Sequence, residues 1–294
     1  MFHTNVDYGI RPPRYRLPEA ARLGRVALQV SDLERSLSYY RDLLGFNVLR
    51  SDGHRARLGA HGAEDRIVEL TARPGVRPVP KGGTIGLYHF AVLLPDRAAL
   101  GRFVDRLLTL DLRFGSADHT VSESIYLWDP DNLGIEVYAD RPRSTWRARG
   151  RELLITTDPL DLQSVIASAR GGKWTGLPSG TTLGHMHLSV GDLTTARSFY
   201  HEGLGLDLIA WSYPSALFYS AGGYHHHLGT NTWAAHARPA SADEARLIEW
   251  EMVLPQANDV HAAAASLAAA GYAMAADAVT DPWGTRLRLR ASDN

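Results

Sequence analysis

The stretch LGRVALQVSDLERSLSYYRDLLGF, residues 23–46, aligns without a gap on LGHMHLSVGDLTTARSFYHEGLGL, residues 183–206. Gly24 and Gly184, Leu28 and Leu188, Val30 and Val190, Asp32 and Asp192, Tyr40 and Tyr200, and Gly45 and Gly205 coincide. A second pair at the same offset, LYHFAVLLPD (87–96) and IEWEMVLPQ (248–256), makes each half of the chain a two-part unit. A duplication of this kind decides the architecture, because each copy is one supersecondary unit.

Each part opens with a short alternating strand that runs into a polar helix cap, Ser31 with Glu34 completing a capping box, or Asp192. Leu33, Leu37, Tyr40 and Leu44 recur at helical spacing, and Gly45 stops a helix of about three turns. Runs rich in β-formers follow, such as RIVELTA and SIYLWDPDNLGIEVYA, bounded by Gly, Pro, Asp and Asn. The pattern predicts an α+β chain of four tandem βαβββ modules at 22–72, 85–140, 182–232 and 246–292. These group by position into a first domain, 22–140, and a second, 182–292, after an N-terminal extension, 1–21. In the connector, 141–181, Asp158 is expected to cap a short helix with Pro159 at its first position.

Composition narrows the function. A chain of 294 residues can bury a sizeable core, and a formal net charge of -1 without a Lys/Arg run argues against nucleic acid. With no cysteine there are no disulfides or thiolate sites, so any metal must sit on nitrogen and oxygen, which suits Fe(II), Mn, Ni, Zn or Mg. Neither a signal peptide nor an apolar run of membrane length stands out, so the expectation is a cytoplasmic protein with no membrane partner. A homo-oligomer is compatible with the sequence. The run SAGGYHHHLGTN, residues 220–231, places His225, His226 and His227 in a row, and histidine is both the commonest metal ligand and the best proton carrier near neutral pH.

Tandem modules with this opening resemble the vicinal-oxygen-chelate superfamily of glyoxalases, bleomycin-resistance proteins and dioxygenases. That resemblance implies two curved-sheet cups. Closer still, DHTVSESIYLWDPDNLGIEVYADRPRSTW together with SAGGYHHHLGTNTW is similar to the type I extradiol dioxygenases, above all the four-module bacterial catechol 2,3-dioxygenases. The resemblance implies Fe(2+), or Mn(2+), on two histidines and a carboxylate, with a small aromatic diol and O2 as partners. It puts the histidine ligands seven residues before Asp96 and Asp192, at His89 and His185, and the carboxylate at Glu136. It likewise makes Tyr126 a hydrogen-bonding partner of the substrate, His119 a supporting residue and His226 the proton-handling one. His225, His227 and His187 are left as substrate-lining candidates. Because residues two apart on a strand share a face, His187 stays open as a rival of His185 for the metal.

Neither half carries the full set. Module 1 has Arg25 at the histidine position, while module 4 has Glu249 there and Arg288 in place of Glu136. Joining module 2 to module 3 restores every role, which predicts a functional cup between them. Modules 1 and 4 would then form a metal-free cup closed by an Arg25–Glu249–Arg288 ion-pair cluster. Two other readings remain: a glyoxalase-type lyase or isomerase, which would want a second carboxylate and Zn or Ni, and a non-catalytic ligand-sequestering protein.

Overall fold

The computed structural model describes residues 8–292, so the first seven residues of the N-terminal extension and the last two of the chain lie outside the described residues. Module 1 comprises β1 (Arg22–Val30), α1 (Leu33–Leu37), β2 (Asn47–Ser51), β3 (Arg55–Gly59) and β4 (Arg66–Ala72). Module 2 repeats the order with β5 (Gly86–Leu93), α2 (Arg97–Thr109), β6 (Gly115–Asp118), β7 (Ser122–Trp128) and β8 (Gly134–Asp140). The connector carries the short pair β9 (Ala148–Arg149) and β10 (Glu152–Leu153), then α3 (Leu162–Ser168). Module 3 is β11 (Thr182–Ser189), α4 (Leu193–Arg197), β12 (Asp207–Ala210), β13 (Ala216–Ser220) and β14 (Leu228–Asn231). Module 4 has β15 (Arg246–Leu254), α5 (Ala257–Ala269), β16 (Ala278–Thr280) and β17 (Arg286–Ala291), one strand fewer than the expected βαβββ.

The duplication extends to an irregularity. Both α1 and α4 run on into a π-helical turn, Ser38–Leu43 and Ser198–Gly203, before Gly45 and Gly205 end the helix at φ values of 82° and 94°. Such values suit glycine at a helix C-terminus.

Two expected caps move. Asp32, not Ser31, caps α1, its carboxylate accepting from the Arg35 N–H at 2.9 Å. Ser31 is occupied elsewhere, since its N–H and hydroxyl both donate to Asp131 of module 2, at 2.7 and 2.8 Å. Asp161 rather than Asp158 caps α3, because Asp158 exchanges backbone hydrogen bonds with Asp118.

The strands assemble into two sheets that mix the halves. The eight-stranded sheet runs β12-β13-β14-β11-β5-β8-β7-β6, uniting modules 3 and 2, and the seven-stranded sheet runs β16-β17-β15-β1-β4-β3-β2, uniting modules 4 and 1. In each sheet the two modules meet through their antiparallel first strands, β5 with β11 and β1 with β15. Consecutive modules are tied instead through their helices. The Tyr40 hydroxyl donates to Asp129 across modules 1 and 2 at 3.2 Å, and the Tyr200 hydroxyl to Asp281 across modules 3 and 4 at 2.7 Å. The main core cluster among the described residues, with Trp250, Phe90, Phe103, Phe199, Tyr40 and Tyr200 fully buried, draws on both sheets and the helices.

Candidate metal centre

The seam between β5 and β11 fixes the site. Parallel pairing sets Ala91 opposite Glu136 on β8, antiparallel pairing sets Tyr126 on β7 opposite Glu136, and His185 on β11 falls opposite Ala91. Residues directly across a ladder share a face. Tyr126, Glu136 and His185 therefore form one row, and the small Ala91 between them leaves room. His89, two residues from Ala91, projects from the same face one row away. Register shifts on both sides of His185–His187 re-aim that segment, as bulges next to active sites do.

Three donor atoms converge there. Glu136 Oε2 lies 3.0 Å from His89 Nε2 and 3.1 Å from His185 Nε2, and the two nitrogens are 3.3 Å apart. All three residues are buried, and among the described residues they are the cluster able to hold a metal ion. Donors at right angles about a divalent ion with bonds of about 2.1 Å would sit about 3 Å from one another, so the set fits one ion. Ser124 Oγ donates to the other carboxylate oxygen, Glu136 Oε1, at 2.6 Å, which orients Oε2 toward the imidazoles. Burial pushes His185 down to about 4, the attraction of Glu136 opposing it, which favours the uncharged imidazole that a metal ion binds. Burial works to raise the Glu136 carboxyl, but the two imidazoles overcome it and hold the group well below the usual carboxylate range. One anion and two imidazoles ask for a cation.

His187 falls opposite His89 rather than on the row of Glu136. Its ring stacks edge-on to His89, with centroids 4.9 Å apart, and its Nε2 is buried without a hydrogen-bond partner among the described residues. Gly229 makes that position available, since a Cβ there would approach the His187 ring at 3.0 Å.

A cavity of about 380 Å³ opens above the cluster, within the range of small-molecule pockets. His119, Tyr126, His187 and His226 all line it. His119 Nδ1 lies 2.5 Å from the Thr156 carbonyl oxygen and so carries a proton, while its Nε2 meets the Tyr126 hydroxyl at 2.5 Å. Burial raises Tyr126 well above the ordinary tyrosine value and keeps it a phenol. The His226 ring packs 4.1 Å from that of His185, and burial pushes its pKa well below 6.5.

His225 and His227 do not line the cavity, which corrects their assignment to the substrate. The segment before β14 bends rather than extends, turning His225 toward Asp140 at 2.9 Å and His227 toward the Ser220 hydroxyl at 3.1 Å. Sequence reasoning also missed much of the wall. Ile155 and Thr157 come from the connector, and Tyr88, Trp128, Tyr213, Phe218 and Trp233 supply aromatic surface. Tyr88, Trp128 and Trp233 are among the large apolar side chains left exposed, a feature that marks a cavity mouth. The signal within reach of the sequence was adjacency: Tyr88 precedes a ligand candidate, and Trp233 closely follows the histidine run.

The family model of the Glyoxalase/Bleomycin resistance protein/Dioxygenase superfamily matches residues 22–137 and 182–291. The chain belongs to this superfamily. Its superfamily relatives include a catechol-2,3-dioxygenase of Bacillus subtilis (strain 168), 41% identical over 259 residues, 87% of this chain and 90% of that protein. Among solved structures, a putative dioxygenase from Bacillus subtilis subsp. subtilis str. 168 superposes with a TM-score of 0.63 at 10% identity, covering 95% of this chain and 87% of the other. Glyoxalase I from Zea mays gives 0.54 at 17% identity, with 92% of both chains covered. At such identities the two structures share the superfamily fold with this chain.

Proposed function

We propose that this chain is an extradiol ring-cleaving dioxygenase, which uses O2 to open a catechol at the bond beside its diol. The convergence of His89, Glu136 and His185 at the floor of a cavity flanked by Tyr126 and His226 carries this reading. The relative at 41% identity, named a catechol-2,3-dioxygenase, supports it. His89, Glu136 and His185 would hold Fe(II), with Mn(II) as the other ion suited to the same donors; when bound, the ion supplies a common binding point for the diol and O2 and a path for electrons between them.

The chain's own residues do the rest. No Lys or Arg is among the described residues lining the cavity, so the wall favours catechol itself or one with uncharged substituents. Tyr88, Trp128, Tyr213, Phe218 and Trp233 give the ring apolar surface and keep water out. Tyr126, oriented by His119, hydrogen-bonds a substrate oxygen. His226, neutral under its burial, takes a proton from a diol hydroxyl and returns it as the ring opens.

The test is O2 uptake by the full chain reconstituted anaerobically with Fe(II), against one- and two-ring catechols, with a yellow ring-opened semialdehyde as the expected product. No O2 uptake across the panel overturns the reading. Metal analysis of freshly purified protein separates the rivals: Fe or Mn for the dioxygenase, Zn or Ni for a glyoxalase-type enzyme, none for a sequestering protein.

A further inference from the structure

The first member of the histidine run, His225, stands between His226 and Asp140. His226 reaches the cavity with one ring edge while its Nδ1 lies 2.7 Å from Nδ1 of His225. On the far side of His225, Nε2 lies 2.9 Å from Oδ1 of Asp140. Two ring nitrogens at that separation bond only when one carries a proton and the other does not. A carboxylate can only accept, so His225 carries a proton on Nε2, and with that one proton the ring presents a bare Nδ1. His226 must then supply the N–H. Its remaining nitrogen, Nε2, is left unprotonated on the cavity side.

Packing keeps this chain of groups in place. The His225 ring is fully buried, with its centroid 4.1 Å from Tyr224, 5.4 Å from Trp146 and 5.9 Å from Tyr138. The Tyr224 hydroxyl donates to the same Asp140 oxygen at 3.1 Å, and the Tyr138 and Tyr224 hydroxyls are 2.7 Å apart. Gly184 permits the arrangement, since a Cβ there would lie 1.9 Å from the Tyr138 hydroxyl oxygen. Asp140, His225, Tyr138 and Tyr224 all lie outside the cavity lining, so none competes with His226 for the substrate.

We propose that Asp140 and His225 are positioning residues that fix His226 in the tautomer protonated on Nδ1, so that Nε2 is the base facing the substrate. The proposal rests on the ring-cleavage reading for its consequence. In that step the substrate O–H bond breaks and an Nε2–H bond forms, and the same proton goes back to the opened product. With the other tautomer, Nε2 would already carry a hydrogen and could accept nothing.

Two measurements test it. Long-range proton–nitrogen NMR of the full chain, labelled with ¹⁵N-histidine and without added metal, reads the tautomer directly: His226 protonated on Nδ1 is expected, and protonation on Nε2 overturns the proposal. In the Fe(II) enzyme, Asp140→Ala and His225→Phe should each lower kcat by about 10–100-fold, with KM and iron content changed by less than about threefold. Asp140→Asn, whose side-chain carbonyl still accepts from His225, should recover most of that loss. A rise in KM alone, loss of iron, or failure of the Asn variant to recover would overturn the positioning role. The NMR result does not depend on turnover. A chain inert toward every catechol yet protonated on Nδ1 of His226 therefore refutes the ring-cleavage reading and supports the fixed tautomer.

Discussion

At the seam of one sheet stand His89, Glu136 and His185; at the equivalent places of the other stand Glu249, Arg288 and Arg25. The frames match down to antiparallel first strands with register shifts in the seam. What differs is where the positive charge comes from. Glu136 Oε2 faces two imidazoles, and no Lys or Arg is among the described residues lining that cup, so it suits a cation. Glu249 already holds its cations: Arg25 and Arg288 donate to Oε1 at 2.9 and 2.8 Å, and Arg286 to Oε2 at 2.7 Å. Burial works to raise Glu249, and the arginines overcome it and hold it down. The same architecture thus pairs its buried carboxylate with arginines in one cup and, in the other, with two imidazoles whose geometry fits a metal ion.

The comparison can be broken at the metal first. Ala at His89, Glu136 or His185 should each take bound metal from roughly one ion per chain to near zero and abolish turnover, because each removes one of three donors. Metal analysis with O2 uptake reads this, and a variant retaining full metal would remove that residue from the centre. His226→Ala should come next, lowering turnover by about 10²–10⁴-fold while metal content stays constant. Iron lost from that variant would make His226 a ligand instead.

The second cup gives an effect of the opposite kind. Glu249→Ala removes the carboxylate shared by three arginines and should cost about 3 kcal/mol, the lower end for a broken buried pair because Arg286 and Arg288 reach solvent and Arg25 and Arg288 keep Glu69, Glu251 and Asp277 as partners. That corresponds to a melting temperature lowered by about 6–12 °C, with metal content and turnover per folded chain unchanged. Loss of metal on this change would show that the cups are not independent.

The smallest effect concerns the tie between modules 1 and 2. Burial pushes the Asp129 carboxyl up to about 7, with the Leu133 N–H partly opposing it. The folded state therefore binds more protons than the unfolded chain between about pH 4 and 7, and this group's contribution to stability falls as pH rises through that window. Asp129→Asn removes the slope, so the melting temperature of the variant relative to the parent should rise from pH 5 to pH 8. A flat difference would place the group's folded and unfolded values together.

The sequence by itself determined the modules, because strand alternation, helical spacing and the glycine stops are local and repeat between the halves. It also determined the complementarity of modules 2 and 3, since a full set of donors is a matter of residue type at aligned positions. Tertiary structure decided the rest. Whether His185 or His187 joins Glu136 depends on which residue of β11 falls opposite Ala91, a pairing register between strands far apart in sequence. The turning of His225 away from the cavity depends on a bend before β14 and on Asp140 at the end of β8. The cavity wall draws Ile155 and Thr157 from a connector with no periodic pattern to read. Local propensity is written residue by residue; register and the packing of non-repeating segments exist only once the two sheets have closed.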